Sequence, residues 1–306
     1  MTITRSQALV LLEPKLSNIW HEAYPHRPVE YTSYVNVRST RKAQVTDFKM
    51  ADFGPLRLKG EGENIIYDDP LFGATKVYTT IRKALGYKIT QEMIDHELYG
   101  QATRFEEALM VSAINDQEVT AALLFNNGFG TTNDNGFDAS GFDNLQLFST
   151  AHTRLDGGVN LRNRPSTDVN LSVTGLQNAI IDFHTQNLDD RGRPQLIRPK
   201  LLVVHPNDLF TARELLQSEY KPGTANNEIN AIREEGLAFI VSHYVTDINA
   251  WFVVGDQHDL NFIWDQKPRG GMEEDFDQEV IKRKVVQGYI VGHGEFRGTW
   301  GTSGVN

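Results

Sequence analysis

Apolar residues recur at helical spacing through residues 89–128. Ile94, Leu98, Ala102, Phe105, Leu109, Ala113, Leu123 and Leu124 fall on one stripe. Thr90 is placed to cap the first turn, with Glu92 and Asp95 where the helix dipole favours negative charge. Asn126, Asn127 and Gly128 supply the stop. Unbroken, such a helix is about 54 Å long at ~1.5 Å per residue. Gly100 is expected to nick it, leaving a short helix and then a long one from about residue 101. A helix of this length either crosses a large domain or serves as a strut, and the segments before it favour the strut.

Residues 76–89 carry the clearest strand pattern. Val77, Thr79, Ile81, Leu85, Tyr87 and Ile89 share one face, with Lys83 the exception; Lys76, Tyr78, Thr80, Arg82 and Lys88 share the other. Residues 56–67 form a second extended run, and the Asp-Asp-Pro-Leu-Phe-Gly stretch at 68–73 between them is turn chemistry. The expected hairpin has arms of roughly 12–15 residues, about 40–50 Å. It bears Lys59, Glu61, Glu63, Asp68, Asp69, Lys76, Arg82 and Lys83. An isolated two-stranded hairpin is marginal in water, so it packs on its own body or reaches another copy. Charge on both arms favours the second.

Ahead of it, Leu9, Leu12, Leu16, Ile19, Trp20 and Ala23 are helically spaced around a break at Pro14. From 23 to 53 no helical period survives; 31–37 suggests one strand, and the rest is extended with no core of its own. Such a segment is ordered when something ties it down, and a neighbouring subunit is the expected tie. After the helix, residues 127–164 are loop by their Gly, Asn, Asp and Ser content, with a short strand expected at 145–148. Ser172 caps a helix through Leu176, Ile180, Phe183 and Leu188. A strand at 200–205 leads to a helix starting at Pro206-Asn207, then strands at 237–242, 251–254 and 261–264. These form an α+β module with helices beside a small, mainly antiparallel sheet. Extended segments at 276–291 and 294–301 close the chain.

Composition adds limits. The 306 residues are 40% apolar and 23% charged, with a net charge of −10. That balance disfavours general binding to nucleic acid or anionic membrane. Residues 1–60 hold nine Lys/Arg against five Asp/Glu, a net of +4, and the remainder holds 21 against 35, a net of −14. An N-terminal segment opposite in sign to the body could pair with the body of another copy. With no cysteine, disulfides, thiolate zinc sites and cysteine nucleophiles are excluded. The longest apolar runs are five residues, which fits neither a signal peptide nor a membrane span.

No catalytic constellation emerges. There is no G-x-S-x-G elbow and no phosphate-binding G-x-x-x-x-G-K. Gly292, Gly294 and Gly298 miss dinucleotide spacing by one residue. His152, His205, His243, His258 and His293 sit in or beside strands and loops, not paired on a helix face, and read as structural. The Asn133–Gly136 turn with Asp138 and Asp143 lacks the terminal glutamate of a calcium loop. His258-Asp259 is a turn unless a nucleophile lies nearby. Arg38, Arg41 and Lys42 are too sparse for a nucleic-acid groove. No cofactor or metal is expected.

The order of elements carries more than any motif: an arm, a long charged hairpin, a long helix, a separate α+β module, then a long returning strand. That order resembles the major capsid proteins of tailed bacteriophages, the Hong Kong 97 phage fold. EGENIIYDDPLFGATKVYTTIRKALGYKITQEMIDHE looks like that family's E-loop running into its spine helix. LFSTAH (147–152) and LLVVHPNDLFTARELL (201–216) are similar to the major head subunit of Mu-like phages. The resemblance implies an N-terminal arm at 1–52 and an E-loop hairpin at 53–89. It implies a P-domain with the spine helix at 90–165, completed by 275–292, and an A-domain at 166–274, completed by 293–306. It also implies a virion shell of hexamers and pentamers, assembled in the host cytoplasm around double-stranded DNA without sequence-specific binding, and no catalytic residues. Expected partners are other copies of the chain, a separate scaffolding protein, a portal and a decoration protein. Lys59, Glu61, Glu63, Asp68, Asp69, Lys76 and Arg82 are the candidate intersubunit contacts. Deleting 55–88 is expected to leave a folded monomer that does not assemble. Two alternatives stand beside this reading: a nanocompartment shell of the same fold, and a soluble enzyme using His258/Asp259 or His243.

Overall fold

A computed structural model describes residues 16, 18, 20, 24–90, 92–93, 99–134, 136–221, 228–275, 277–278 and 280–305. In chain order the strands are β1 (Asn36–Ser39), β2 (Gln44–Ala51), β3 (Leu71–Thr79), β4 (Ile81–Thr90), β5 (Phe137–Asp138), β6 (Pro199–Val204), β7 (Ala238–Val241), β8 (Trp251–Gly255), β9 (Leu260–Asp275), β10 (Val280–His293) and β11 (Thr299–Thr302). The helices are α1 (Tyr99–Asn126), α2 (Val173–Gln186), α3 (Leu209–Gln217) and α4 (Ala231–Glu234).

The larger sheet runs β1-β9-β10-β4, with β5 added beside β10. β9 and β4 are antiparallel to β10, while β1 lies parallel to β9. α1, the expected spine, is 28 residues, about 42 Å at ~1.5 Å per residue. It lies along β10, whose Ile281, Arg283, Val285, Gln287 and Tyr289 are all buried. Gly100 sits in the first turn of α1, and most of the stretch where a nick was expected is outside the described residues. Ala102, Leu109, Ala113 and Leu124 are buried as the stripe requires, but Phe105 is 37% exposed. Its neighbour Glu106 turns under the helix instead. Glu106 is 0% exposed, and Arg283 Nη2 lies 3.0 Å from it. Tyr87 donates to the same carboxylate at 2.6 Å. A buried guanidinium outweighs the apolar period here, because an unpaired buried charge costs more than an exposed ring.

The smaller sheet runs β11-β8-β6-β7, with β6 and β7 parallel and the other pairs antiparallel. α2 packs on it through Leu176, Ala179 and Phe183, with Trp251 and Trp300 ring to ring at 4.8 Å. Ser172 caps α2 as expected, its Oγ accepting from Gly175 N at 3.0 Å. Between the sheets lies one aromatic core of Phe125, Phe148 and Phe252, with Tyr31, Tyr34 and Phe262. Leu147 and Phe148 of LFSTAH are therefore core residues, held in a non-strand loop where a short strand was expected.

Three expectations change. Residues 24–39 are not an arm laid on another copy: Tyr31, Tyr34 and Val35 are buried in the core, and β1 pairs with β9 of the same chain. The helix expected around Leu9 to Ala23 lies outside the described residues, apart from Leu16, Asn18 and Trp20. The hairpin partner also differs. β3 pairs with β2, not with 56–67, and the 76–89 strand breaks at Thr80 so that β4 joins β10 in the other sheet. Finally, β9 extends to Asp275 within the larger sheet. The strand expected to end at 264 therefore runs eleven residues further, paired with β10. Among the described residues, no helix is long and apolar enough to cross a membrane.

Candidate assembly surface

The β2–β3 ribbon is two-faced because its residues alternate. Val45, Asp47, Lys49 and Ala51 are less exposed than Thr46, Phe48 and Met50 between them. On β3, Lys76 and Tyr78 are buried while Phe72, Val77 and Thr79 are exposed. The inner face is riveted to the body. Tyr78 packs with Ile263 and Ile290. Lys76 Nζ donates to His293 O at 2.6 Å and to Ser140 O, and lies 3.4 Å from Asp138. Burial pulls the Lys76 pKa down, and Asp138 opposes the shift. Lys49 bridges Asp190 at 3.2 Å and Glu295 at 2.9 Å, and Arg297 contacts the same two carboxylates.

The outer face presents Phe48, Met50, Phe72 and Val77 to solvent. It continues into residues 52–70, which form no strand. There Phe53, Leu56, Leu58, Ile65, Ile66 and Tyr67 are exposed, Leu56 and Leu58 at 102% and 99%. A ribbon backed in this way and ending in this many solvated apolar side chains has the composition of an interaction surface, which makes it the candidate.

The residues singled out from sequence distribute unevenly around it. Lys59, Glu61 and Glu63 are exposed on the loop, and Glu63 closes a turn by accepting from Gly60 N at 2.9 Å. Asp68 accepts from Gly54 N at 2.6 Å and pairs with Arg191 at 3.3 Å. Those partners, the Gly54 amide first, hold its carboxyl below the ordinary range. The Asp69 carbonyl accepts from Arg191 at 2.8 Å. Arg82 is exposed, with Asp265 at 3.7 Å. Lys76 is the correction: it is buried among groups of its own chain and is no surface contact. The apolar loop side chains carry no sustained helical or strand period, so the charges beside them dominate the pattern. LRL and IIY between turn residues were the available signal.

Four of the histidines singled out from the sequence hydrogen-bond groups of the chain itself, and the fifth, His293, has both ring nitrogens buried without a partner. His152 bonds Asp143 at 2.6 Å and Asn163 at 3.1 Å and stacks on Phe296. His205 accepts from Asn207 N, and His243 bonds Glu30 at 2.6 Å. His258 Nδ1 accepts from Leu260 N, while Asp259 binds Arg38, Asn261 and Glu295 N, so the two form no dyad. His293 is fully buried beside Lys76, and burial drives its pKa well below the ordinary value. Among the described residues no cluster of three metal-ligating side chains occurs.

Solved structures share this fold at low identity. The capsid of the Cyanophage P-SCSP1u aligns with 92% of this chain and 89% of its own, at 11% identity and a TM-score of 0.55. The capsid of a native GTA particle aligns over 90% and 91%, at 10% identity and 0.55. The virus-like particle from Pyrococcus furiosus aligns over 95% and 99%, at 8% identity and 0.52. No curated protein matches the sequence. A family model described as phage capsid protein matches residues 73–301, from β3 through β11. With α1, the two sheets and the β2–β3 ribbon in place, this chain belongs to the phage capsid protein family and is a shell protein of the virion.

Proposed function

We propose that the chain is the major capsid protein of an icosahedral shell, and that the ribbon's outer face with loop 52–70 is the surface each copy lays on its neighbour. The observation that carries this is the run of solvated apolar side chains from Phe53 to Tyr67 on a ribbon fixed at its base. Fully burying one such side chain is worth about 1.5–3 kcal/mol, and a closed lattice repeats each contact through effective concentration. Lys59, Glu61, Glu63, Asp68, Asp69 and Arg82 lie on or near that surface and would set register rather than supply most of the affinity.

The role is structural rather than catalytic: His152, His205, His243 and His258 hydrogen-bond groups of the chain itself, and the buried Glu106 and Glu118 hold Arg283 and the amides of residues 30 and 31. The four-part division fits best with residues 24–39 counted with the body, the E-loop at 44–79, and β9 counted with the larger sheet. A separate scaffolding protein, a portal and a decoration protein are the further partners we infer, and LFSTAH and the β6–α3 segment support placement near the Mu-like head subunits. The acidic chain suits a container that encloses duplex DNA without gripping it, because phosphate affinity scales with the cations presented.

The test deletion must stop short of β3 and β4, which are structural. Replacing 55–67 by a short Gly-Ser link should give a folded subunit, by circular dichroism, that forms no shells under negative-stain microscopy. Shells of normal yield from that variant would refute the proposal.

A further inference from the structure

One side chain closes the neck of the exposed loop. Arg191 Nε donates to Asp52 O at 2.7 Å and Nη2 donates to Asp69 O at 2.8 Å. Nη1 lies 3.3 Å from Asp68 Oδ2, the oxygen that also accepts from Gly54 N at 2.6 Å. Both limbs of the loop therefore converge on one planar guanidinium. The turn that presents Arg191 is itself fixed. Asp189 accepts from the amides of Arg191 and Arg193 and from Arg193 Nε, at 2.9, 2.7 and 2.7 Å. Gly192 supplies the required positive φ of 78°. Next to it, Asp190 holds Lys49 at the root of the ribbon.

We propose that Arg191 is the positioning residue of shell assembly: it sets the direction in which loop 55–67 leaves the subunit, and so the angle at which the loop meets the next copy. This rests on the reading that the loop docks on another copy. Between 55 and 67 the backbone pairs with no strand, and the bonds found there are the Gly60–Glu63 turn. Beyond the neck, then, little on the chain orients the tip. A guanidinium suits the task because its rigid fork satisfies two carbonyls and a carboxylate together, which a lysine ammonium does not reproduce. Without it the limbs part, the tip samples a larger volume, and its effective concentration at the neighbouring site falls. The freed carbonyls of Asp52 and Asp69 are near the surface and take water instead, so the fold itself loses little.

The experiment uses the full chain with Arg191→Ala, Arg191→Lys and the 55–67 replacement side by side. Each is followed by thermal melting, hydrogen exchange at Gly54, light scattering and negative-stain microscopy. Arg191→Ala should melt within about 3 °C of the parent while Gly54 exchange accelerates about tenfold or more. Shell yield should fall about tenfold, or shells become irregular in diameter, with Arg191→Lys intermediate. Parental yield and diameter from Arg191→Ala, while the loop replacement abolishes shells, would overturn the role of Arg191 and leave loop docking standing. Normal shells from the loop replacement would overturn both. Should Arg191→Ala fail to fold, Arg191→Lys decides: faster Gly54 exchange with reduced yield supports the proposal, and parental values of both overturn it.

Discussion

Two buried glutamates on α1 show what single residues do here. Glu118 is nearly inaccessible and accepts from Glu30 N at 2.5 Å and Tyr31 N at 3.1 Å, pinning the N-terminal segment to the spine. Desolvation pushes its pKa up from 4.5 to about 7, against the two amides that lower it, with Glu30 adding to the rise. The folded chain therefore holds a proton on this group that the unfolded chain has released between those values. Stability should fall as pH rises from about 4.5 to about 7, by on the order of 2 kcal/mol. Denaturant midpoints at pH 5 and pH 8 read this out, and Glu118→Gln should flatten the slope. An unchanged slope would remove Glu118 as its cause. Glu106 is the opposite case, a buried acid with a matched base. Arg283→Met should cost roughly 3–5 kcal/mol by stranding Glu106, and Glu106→Gln with Arg283→Met should recover much of it. Equal losses in the single and double variants would contradict the pairing.

At the scale of elements, the sequence marked segments well and partners poorly. The spine helix and α2 with its Ser172 cap are legible because one face of each is apolar over several turns, and β6 and β8 because each is a short continuous apolar run. Pairing is not written in alternation. The period of 76–89 is continuous through Thr80, yet the chain changes sheets there, since β3 and β4 need only a buried face each. β9 was cut short for a related reason. Its second half, DQKPRGGMEED, has no apolar alternation because it is held by backbone bonds to β10 and its glycines admit β10 side chains; Arg283 lies against Gly270. The strand expected at 31–37 is a 3-10 turn at Tyr31–Ser33 followed by β1 from Asn36, because Tyr31 and Tyr34 turn into a core made by distant strands. Buried charges such as Lys76, Glu106 and Glu118 were illegible, as burial of a charge depends on partners far along the chain.

On the scale of the whole molecule, charge and apolar surface divide the work of assembly. Loop 55–67 carries Arg57, Lys59, Glu61 and Glu63, which cancel, among Leu56, Leu58, Ile65, Ile66 and Tyr67. Apolar burial should then dominate docking, with charge adjusting it. Leu58→Asp with Ile66→Asp should abolish shells at any ionic strength, because each buried carboxylate meets a desolvation penalty that salt does not relieve. Glu61→Lys should lower yield at low salt and recover as salt is raised, since the screening length drops from about 10 Å at 0.1 M to about 3 Å at 1 M. Glu61 is the cleaner site for reversal, as Glu63 also closes the Gly60 turn. Light scattering across a salt series separates the two terms. If the double aspartate variant assembles at high salt, docking is electrostatic and the apolar loop is not its driving surface. If Glu61→Lys is insensitive to salt, that carboxylate faces no charge on the neighbouring copy.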